Sequence, residues 1–319
     1  MLDVTDQRLS LRLVLSRADS PWIMADIALE RILPRLTLKR ISLINPRSTT
    51  GKGALEWNNL HQPLKSVLAS VFSSPALESA TLRGLTISSL VDLLSLFSEA
   101  ASLKALAISC VFFPTRWEEQ DTWPDTRPWQ PRLTSLDVSE TSGGPLCSHF
   151  LKSRMDLSRV KSLAMAWIPS RGSIEWETDM VNVSNTIEHF QIYCPQTLNF
   201  MSVFTPTLRS IQIWADVIDR TLVDIFRLCP LDAYLLETIT LDGILKPLSS
   251  PMTIESTLSR LPSLKKVELR VLDNSGYVGR ESVFPEWSAT VLPLLSSLES
   301  RGLLRLTELL WDSCMDYWP

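Results

Sequence analysis

Leu208-Arg209-Ser210-Ile211-Gln212-Ile213-Trp214, followed by Leu236-Glu237-Thr238-Ile239-Thr240-Leu241-Asp242 and Leu264-Lys265-Lys266-Val267-Glu268-Leu269-Arg270, decides how the rest of the chain is read. Each heptad places an apolar residue first, fourth and sixth, and the starts are 28 residues apart. In the second half of each, apolar residues alternate with others, the period of a short strand with one buried face.

The same pattern runs outward in both directions. It occurs as Leu38-Ile41-Leu43, a weaker Leu77-Ala80-Leu82, Leu103-Leu106-Ile108, Leu133-Leu136-Val138, Val160-Leu163-Met165 and Ile187-Phe190-Ile192, and last as Leu306-Leu309-Trp311. Successive starts differ by 39, 26, 30, 27, 27, 21, 28, 28 and 42 residues. Most of these fall near the 20–29-residue period of leucine-rich repeats. Proline introduces several copies (Pro75-Ala76, Pro131-Arg132, Pro206-Thr207, Pro262-Ser263), ending what precedes and delivering the chain to the strand. Helical apolar spacing lies between strands, as in Leu64-Val67-Leu68-Val71-Phe72, Leu90-Val91-Leu94-Phe97, Leu222-Val223-Ile225-Phe226 and Val291-Leu294-Leu295-Leu298. Asp219 and Ser288 precede the last two as N-cap residues. The N-terminal strip Leu9-Leu11-Leu13-Leu15 reads as an initial strand; at the far end a helical stretch over 287–304 precedes a last strand at 306–311. The expected fold is therefore α/β, a leucine-rich-repeat solenoid with a curved parallel sheet and helices on the convex side. We read residues 1–319 as a single irregular solenoid of about ten to eleven repeats, interrupted by a Trp/Pro-rich insertion loop at 114–132.

Bulk composition narrows the function. Net charge is −4, split as +4 over residues 1–65 (ten Lys/Arg, six Asp/Glu) and −8 over the rest (21 against 29), with no Lys/Arg run. No nucleic-acid partner is expected. The greasiest stretch, 85–113, is broken by Asp92, Glu99 and Lys104, so no membrane span is expected. Charges at Asp3, Asp6, Arg8 and Arg12 leave no apolar leader. The five cysteines are scattered, without C-x-x-C, so we expect reduced thiols in an intracellular protein of cytoplasm or nucleus, with no metal.

Chemistry has little to stand on. Thr49-Thr50-Gly51-Lys52-Gly53 holds Gly-Lys, but Pro46 stands where a phosphate loop needs glycine and Gly53 where it needs Ser or Thr. His61, His149 and His189 form no zinc motif, and no G-x-S-x-G elbow occurs. We expect no catalytic residue, no cofactor and no enzyme activity; unrecognised chemistry is the remote alternative.

Two surfaces are candidates for protein binding. If the second and third apolar residues of each motif point inward, their neighbours face outward onto the concave sheet. These are bland at Ala105, Ala107, Ser109, Ser162, Ala164 and Ala166, and polar or aromatic over 189–270. The candidate face comprises His189, Gln191, Tyr193, Gln212, Trp214, Asp242, Lys266, Glu268 and Arg270, with Tyr193 and Trp214 side by side as anchors. In the insertion, Trp117, Trp123 and Trp129 recur every six residues among charges and prolines. They serve either as a binding loop or as a local cover for the solenoid edge.

The segments Leu9-Ser10-Leu11-Arg12-Leu13, Arg40-Ile41-Ser42-Leu43, Pro75-Ala76-Leu77-Glu78 and Pro262-Ser263-Leu264-Lys265 resemble the irregular repeat region of fungal, mushroom-type F-box proteins. That resemblance implies substrate recognition for a ubiquitin ligase, with the repeats holding the substrate and an N-terminal F-box binding the ligase adaptor. Residues 1–8 leave no room for an F-box ahead of the first strand. The resemblance thus implies either a missing N-terminal part, in which case the adaptor is a partner, or a repeat-only interaction protein. The asparagine that regular repeats place eight residues after the first leucine is replaced by residues such as Pro46, Val111 and Thr141, so the repeats should be irregular.

Overall fold

The computed structural model describes residues 10–14, 27–45, 55–113, 132–138, 157–166, 185–193, 206–215, 235–245, 255–256, 258, 261–273 and 281–309. The chain forms two compact units, Met1–Arg159 and Val160–Trp318. Both are α/β leucine-rich-repeat arrays in which parallel strands follow one another in chain order.

In the first unit the strands are β1 (Ser10–Val14), β2 (Arg40–Ile44), β3 (Leu55–Glu56), β4 (Ser79–Thr86), β5 (Ala105–Phe112) and β6 (Ser135–Val138). They pair in the order β1-β2-β4-β5-β6, and the short β3 adds to the end of β4. In the second unit β7 (Ser162–Ala166), β8 (His189–Tyr193), β9 (Ser210–Ala215), β10 (Thr238–Ile244), β11 (Lys266–Leu272) and β12 (Leu304–Leu309) pair consecutively. The described helices are α1 (Ile27–Ile32), α2 (Gln62–Phe72), α3 (Leu90–Ser95), α4 (Phe284–Leu294) and α5 (Ser296–Ser300). The helix expected around Leu222–Phe226, with its cap Asp219, lies outside the described residues.

The core is built from the motif positions. In the second unit Leu163, Phe190, Ile211, Ile239 and Val267 are register partners in turn, none more than 2% exposed. Met165, Ile192, Ile213, Leu241 and Leu269 form a second buried column two residues on. In the first unit Ile41, Ala80, Leu106 and Leu136 do the same. Leu77, Leu103, Leu133, Val160, Ile187, Leu208, Leu236 and Leu264, the first motif residues, are buried as well. Ahead of them tight turns form: Leu77 N–H donates to Ser74 across Pro75-Ala76, and Leu264 N–H to Leu261 across Pro262-Ser263. Proline at the second turn position presets the required φ. Behind the sheet of the first unit, α2 buries Leu64, Leu68, Val71 and Phe72 along one stripe. Phe72 meets Phe97 edge-on with centroids 5.6 Å apart.

The structure corrects two expectations. The last strand is not 306–311: Leu304 and Leu306 lie opposite Val267 and Leu269, so the final repeat starts at Arg301 rather than Leu306. An arginine at the first motif position hid it from the pattern. The preceding helix likewise starts at Phe284, which leaves Ser288 inside it. Its N-terminus is held instead by Asp273, which accepts from Val283 N–H at 2.7 Å and from the Ser282 hydroxyl at 2.8 Å. The helical stretch over 287–304 ends at Ser300, and Gly302 just beyond it, with φ 68°, lets α5 close with bonds from Gly302 N–H to Glu299 and from Leu303 N–H to Leu298.

A kink of the same kind occurs in β4 and β5. Gly84 (φ 69°) and Cys110 (φ 50°) follow the paired residues Arg83 and Ser109, and the strands pair again beyond them. A Cβ on Gly84 would collide with the carbonyl oxygen of Asn45, so glycine is required there. Asn45 and Cys110 are both buried, and both stand one residue before the position at which regular repeats carry their asparagine.

The residue after each first leucine carries a further pattern. It reads Lys39, Glu78, Lys104 and the uncharged Thr134 in the first unit and Lys161, Glu188, Arg209, Glu237, Lys265 and the uncharged Gly302 in the second, the successive charges alternating in sign within each unit. The backbone carbonyl at this position accepts two N–H groups from the next repeat, as Arg209 does from Glu237 and Thr238. Side chains pair across: Lys161–Glu188 at 2.6 Å, Arg209–Glu237 at 3.2 Å and Lys265–Glu237 at 2.9 Å, with Lys39 and Lys104 both within 3.8 Å of Glu78. A pairing that skipped one repeat would set Glu188 against Glu237 or Arg209 against Lys265, so the ladder disfavours wrong neighbours. The hydrogen bond from Lys161 holds the Glu188 carboxyl below its ordinary range, and that from Lys265 does the same for Glu237.

Replacing Leu163 by Ala should lower unfolding free energy by about 2–5 kcal/mol in denaturant titration, the range for a deleted buried leucine. A depressed folded-state pKa gives stability that is present above the unfolded carboxyl value and lost as pH falls through the folded one. Glu237→Gln should therefore be less stable than wild type at neutral pH, with the gap closing below about pH 4 and shrinking in high salt.

Candidate docking face of the second unit

Strand pairing sorts the outward residues of β7–β12 into three rows. The first runs Ser162, His189, Ser210, Thr238, Lys266. The second runs Ala164, Gln191, Gln212, Thr240, Glu268, Arg305, and the third Ala166, Tyr193, Trp214, Asp242, Arg270, Thr307. Every sequence-predicted face residue falls in these rows at the expected offset.

Exposure falls from the first row to the third along β9 and β10. On β11 half-buried Lys266 and Arg270 stand either side of the deeper Glu268, and on β12 Arg305 is exposed. His189 is exposed, Lys266, Gln191 and Gln212 are half-buried, Thr240 and Glu268 are 8% exposed, and Trp214 and Asp242 are 5% and 3% exposed. Tyr193 is the backbone partner of Trp214, as expected from their shared offset, but its side chain lies outside the described residues. Trp214 itself is sunk into the sheet rather than standing open, so it does not present the exposed ring expected of an anchor. Trp117, Trp123 and Trp129 also lie outside the described residues.

The charged groups form two linked clusters. Asp242 accepts a hydrogen bond from Gln212 Nε2 at 2.7 Å and is gripped two-handed by Arg270, from Nε at 2.6 Å and Nη2 at 2.5 Å. The planar guanidinium suits this fork geometry. One row away, Glu268 takes Lys266 Nζ at 2.7 Å on one oxygen; Thr307 Oγ1 at 3.2 Å and Arg305 Nε at 3.4 Å approach the other. Burial pushes the Glu268 carboxyl up, but the hydrogen bond from Lys266 and the surrounding cations outweigh it and leave it below its ordinary value.

Arg305 and Thr307 were not among the sequence candidates, because the last repeat was placed five residues late. Their signal was the alternation Leu304-Arg305-Leu306-Thr307, masked by the neighbouring Leu303 and the polar first position Arg301. Among the described residues no three His, Cys, Asp or Glu side chains gather as a metal site, and no helix is long and apolar enough to cross a membrane.

No family model matches the chain, and no curated protein matches it. Among solved structures it is similar to the leucine-rich-repeat-containing protein LegL7 from Legionella pneumophila, at 12% identity and a TM-score of 0.48 over 90% of each chain. The fold assignment rests on strand order and register, independently of that likeness.

The two cation pairs should behave differently when broken. Arg270→Met strips the buried Asp242 of its countercharge and should cost about 3 kcal/mol in urea unfolding. Arg305→Met, at a residue whose side chain is 65% exposed, should cost under about 1 kcal/mol.

Proposed function

We propose that the chain is a non-catalytic protein-interaction scaffold whose contact surface is the outward face of β8–β12. The carrying observation is the sorted grid of side chains there, from exposed His189 and half-buried Lys266 and Arg270 down to the buried Asp242 that Arg270 grips. Repeat arrays use such faces for binding because the backbone is fixed by the stack while outward residues are free to vary. Trp214, Asp242 and Glu268 then act from below, holding the side chains that a partner touches, while His189, Gln191, Gln212, Lys266 and Arg270 make the contacts. Tyr193 and the insertion tryptophans Trp117, Trp123 and Trp129 belong to the same reading as additional contact groups.

The finer form of the reading is substrate recognition for an F-box-type ubiquitin ligase. It rests on the leucine and proline pattern described above, and co-purification of a ligase adaptor once a missing N-terminal part is restored, but not with residues 1–319 alone, would support it. The coarser reading does not depend on that outcome.

Photo-crosslinking in the native cell separates this face from the rest of the unit. A photoreactive amino acid at Gln191 or Thr238 should give a discrete protein adduct, whereas one at Ala289, exposed on α4, should give none. Adducts from Ala289 but not from Gln191 or Thr238 would move the contact surface away from the sheet.

A further inference from the structure

The outward face of β10–β12 separates charge by height. The two carboxylates lie at the floor, with Asp242 4% and Glu268 11% exposed in their side chains. The three cations stand above them, Arg270 at 25%, Lys266 at 40% and Arg305 at 65%. The face therefore carries one excess positive charge (three cations, two carboxylates), and what reaches solvent is the positive part. The acceptor oxygens are occupied from within: Asp242 by Gln212 and Arg270, Glu268 by Lys266, Thr307 and Arg305. An ammonium has three N–H donors and a guanidinium five. Lys266 meets Glu268 through Nζ and Arg305 through Nε, and the other N–H donors of each head group are directed away from that carboxylate. The two cations approach different oxygens of one carboxylate, Lys266 from the same strand as Glu268 and Arg305 from the adjacent one.

Size and background charge narrow the occupant. With its continuation over β8 and β9, the face has five strands about 4.8 Å apart and five residues of about 3.3 Å each, spanning about 300 Å². That is well short of the ~800 Å² per partner of a standard protein interface, but it accommodates an extended segment of five or six residues. Residues 66–319 carry −8 overall, which repels a long polyanion. At physiological salt the screening length is about 8 Å, so a short segment feels chiefly the local balance of three outer cations over two deeper carboxylates.

We propose that this face binds a short, extended acidic segment of a partner protein, one of its carboxylates seated between Lys266 and Arg305. This rests on the scaffold reading above and specifies the partner's chemistry. The probe is a fluorescein-labelled peptide, Ser-Gly-Glu-Glu-Glu-Glu-Gly-Ser, titrated with the full chain by fluorescence anisotropy. Its glutamine counterpart and an eight-residue oligo-dT serve as comparisons.

At 0.05 M NaCl the glutamate peptide should bind at least tenfold more tightly than the glutamine peptide, and the advantage should collapse at 0.5 M NaCl. Arg305→Gln should reduce that advantage at least threefold and Lys266→Gln with Arg305→Gln should abolish it, while Arg301→Gln, a cation outside the rows, leaves it intact. The wild-type salt titration stands as a test even if the double variant fails to fold. Equal binding of the two peptides, an advantage untouched by Arg305→Gln, or tighter binding of oligo-dT than of the glutamate peptide would overturn the proposal. Crosslinks from Gln191 or Thr238 together with equal peptide binding would discard the acidic specificity alone. Crosslinks confined to Ala289 would discard the scaffold face itself.

Discussion

Stacked apolar columns are the constraint on which everything else depends. A lone strand-and-return repeat has one greasy edge and no way to cover it, so each repeat is stable only between neighbours that continue its columns. In the second unit Leu163, Phe190, Ile211, Ile239 and Val267 form one such column and Met165, Ile192, Ile213, Leu241 and Leu269 the next. Because strand side chains alternate, burying these two columns forces Gln191, Gln212, Thr240 and Glu268 to the other face, with no separate instruction needed. The candidate face is thus a by-product of the core. A slip of one residue in a single strand would break both.

What the columns leave open is which repeat pairs with which, since one leucine-based repeat resembles another. The alternating charges Lys161, Glu188, Arg209, Glu237 and Lys265 supply that information at the turn edge. Individually, exposed ion pairs add little to stability, so their contribution lies mainly in penalising a skipped repeat, where like charges would meet. The pair of buried Asp242 and half-buried Arg270 works differently. Its desolvation offsets much of its attraction, and its value lies in fixing a guanidinium at one place on the face. A hydrophobic pair would fill the same volume without defining a direction for the donors above it.

Much of this was legible from spacing. The repeat starts, the strand centres and the inward and outward assignment along β7–β11 follow from the apolar, any, apolar alternation alone. The template failed where its first position was polar: Arg301 concealed the last repeat, and with it Arg305 and Thr307. It also said nothing about depth. Trp214 and Asp242 occupy outward offsets yet are buried, because strand period sets which face a side chain takes and not how deeply its neighbours cover it, as Gln212 and Arg270 do Asp242. The cap from Asp273 to α4 was invisible for a related reason, since its donor Val283 is ten residues away and the contact is tertiary. The sign alternation of the charge ladder was present in the sequence at a constant offset and needed only the neighbour order to become meaningful.

Register is the claim from which the core, the face and the charge separation all follow, and methyl NOE spectroscopy reads it directly. On a deuterated chain with labelled Ile, Leu and Val methyls, neighbouring strands about 4.8 Å apart place register partners within NOE range. The account expects a chain of contacts from Ile192 to Ile213 to Leu241 to Leu269, and a parallel one from Ile211 to Ile239 to Val267. Absence of the Ile211–Ile239 and Ile213–Leu241 contacts in a folded sample, or contacts displaced by one residue along any strand, would contradict it.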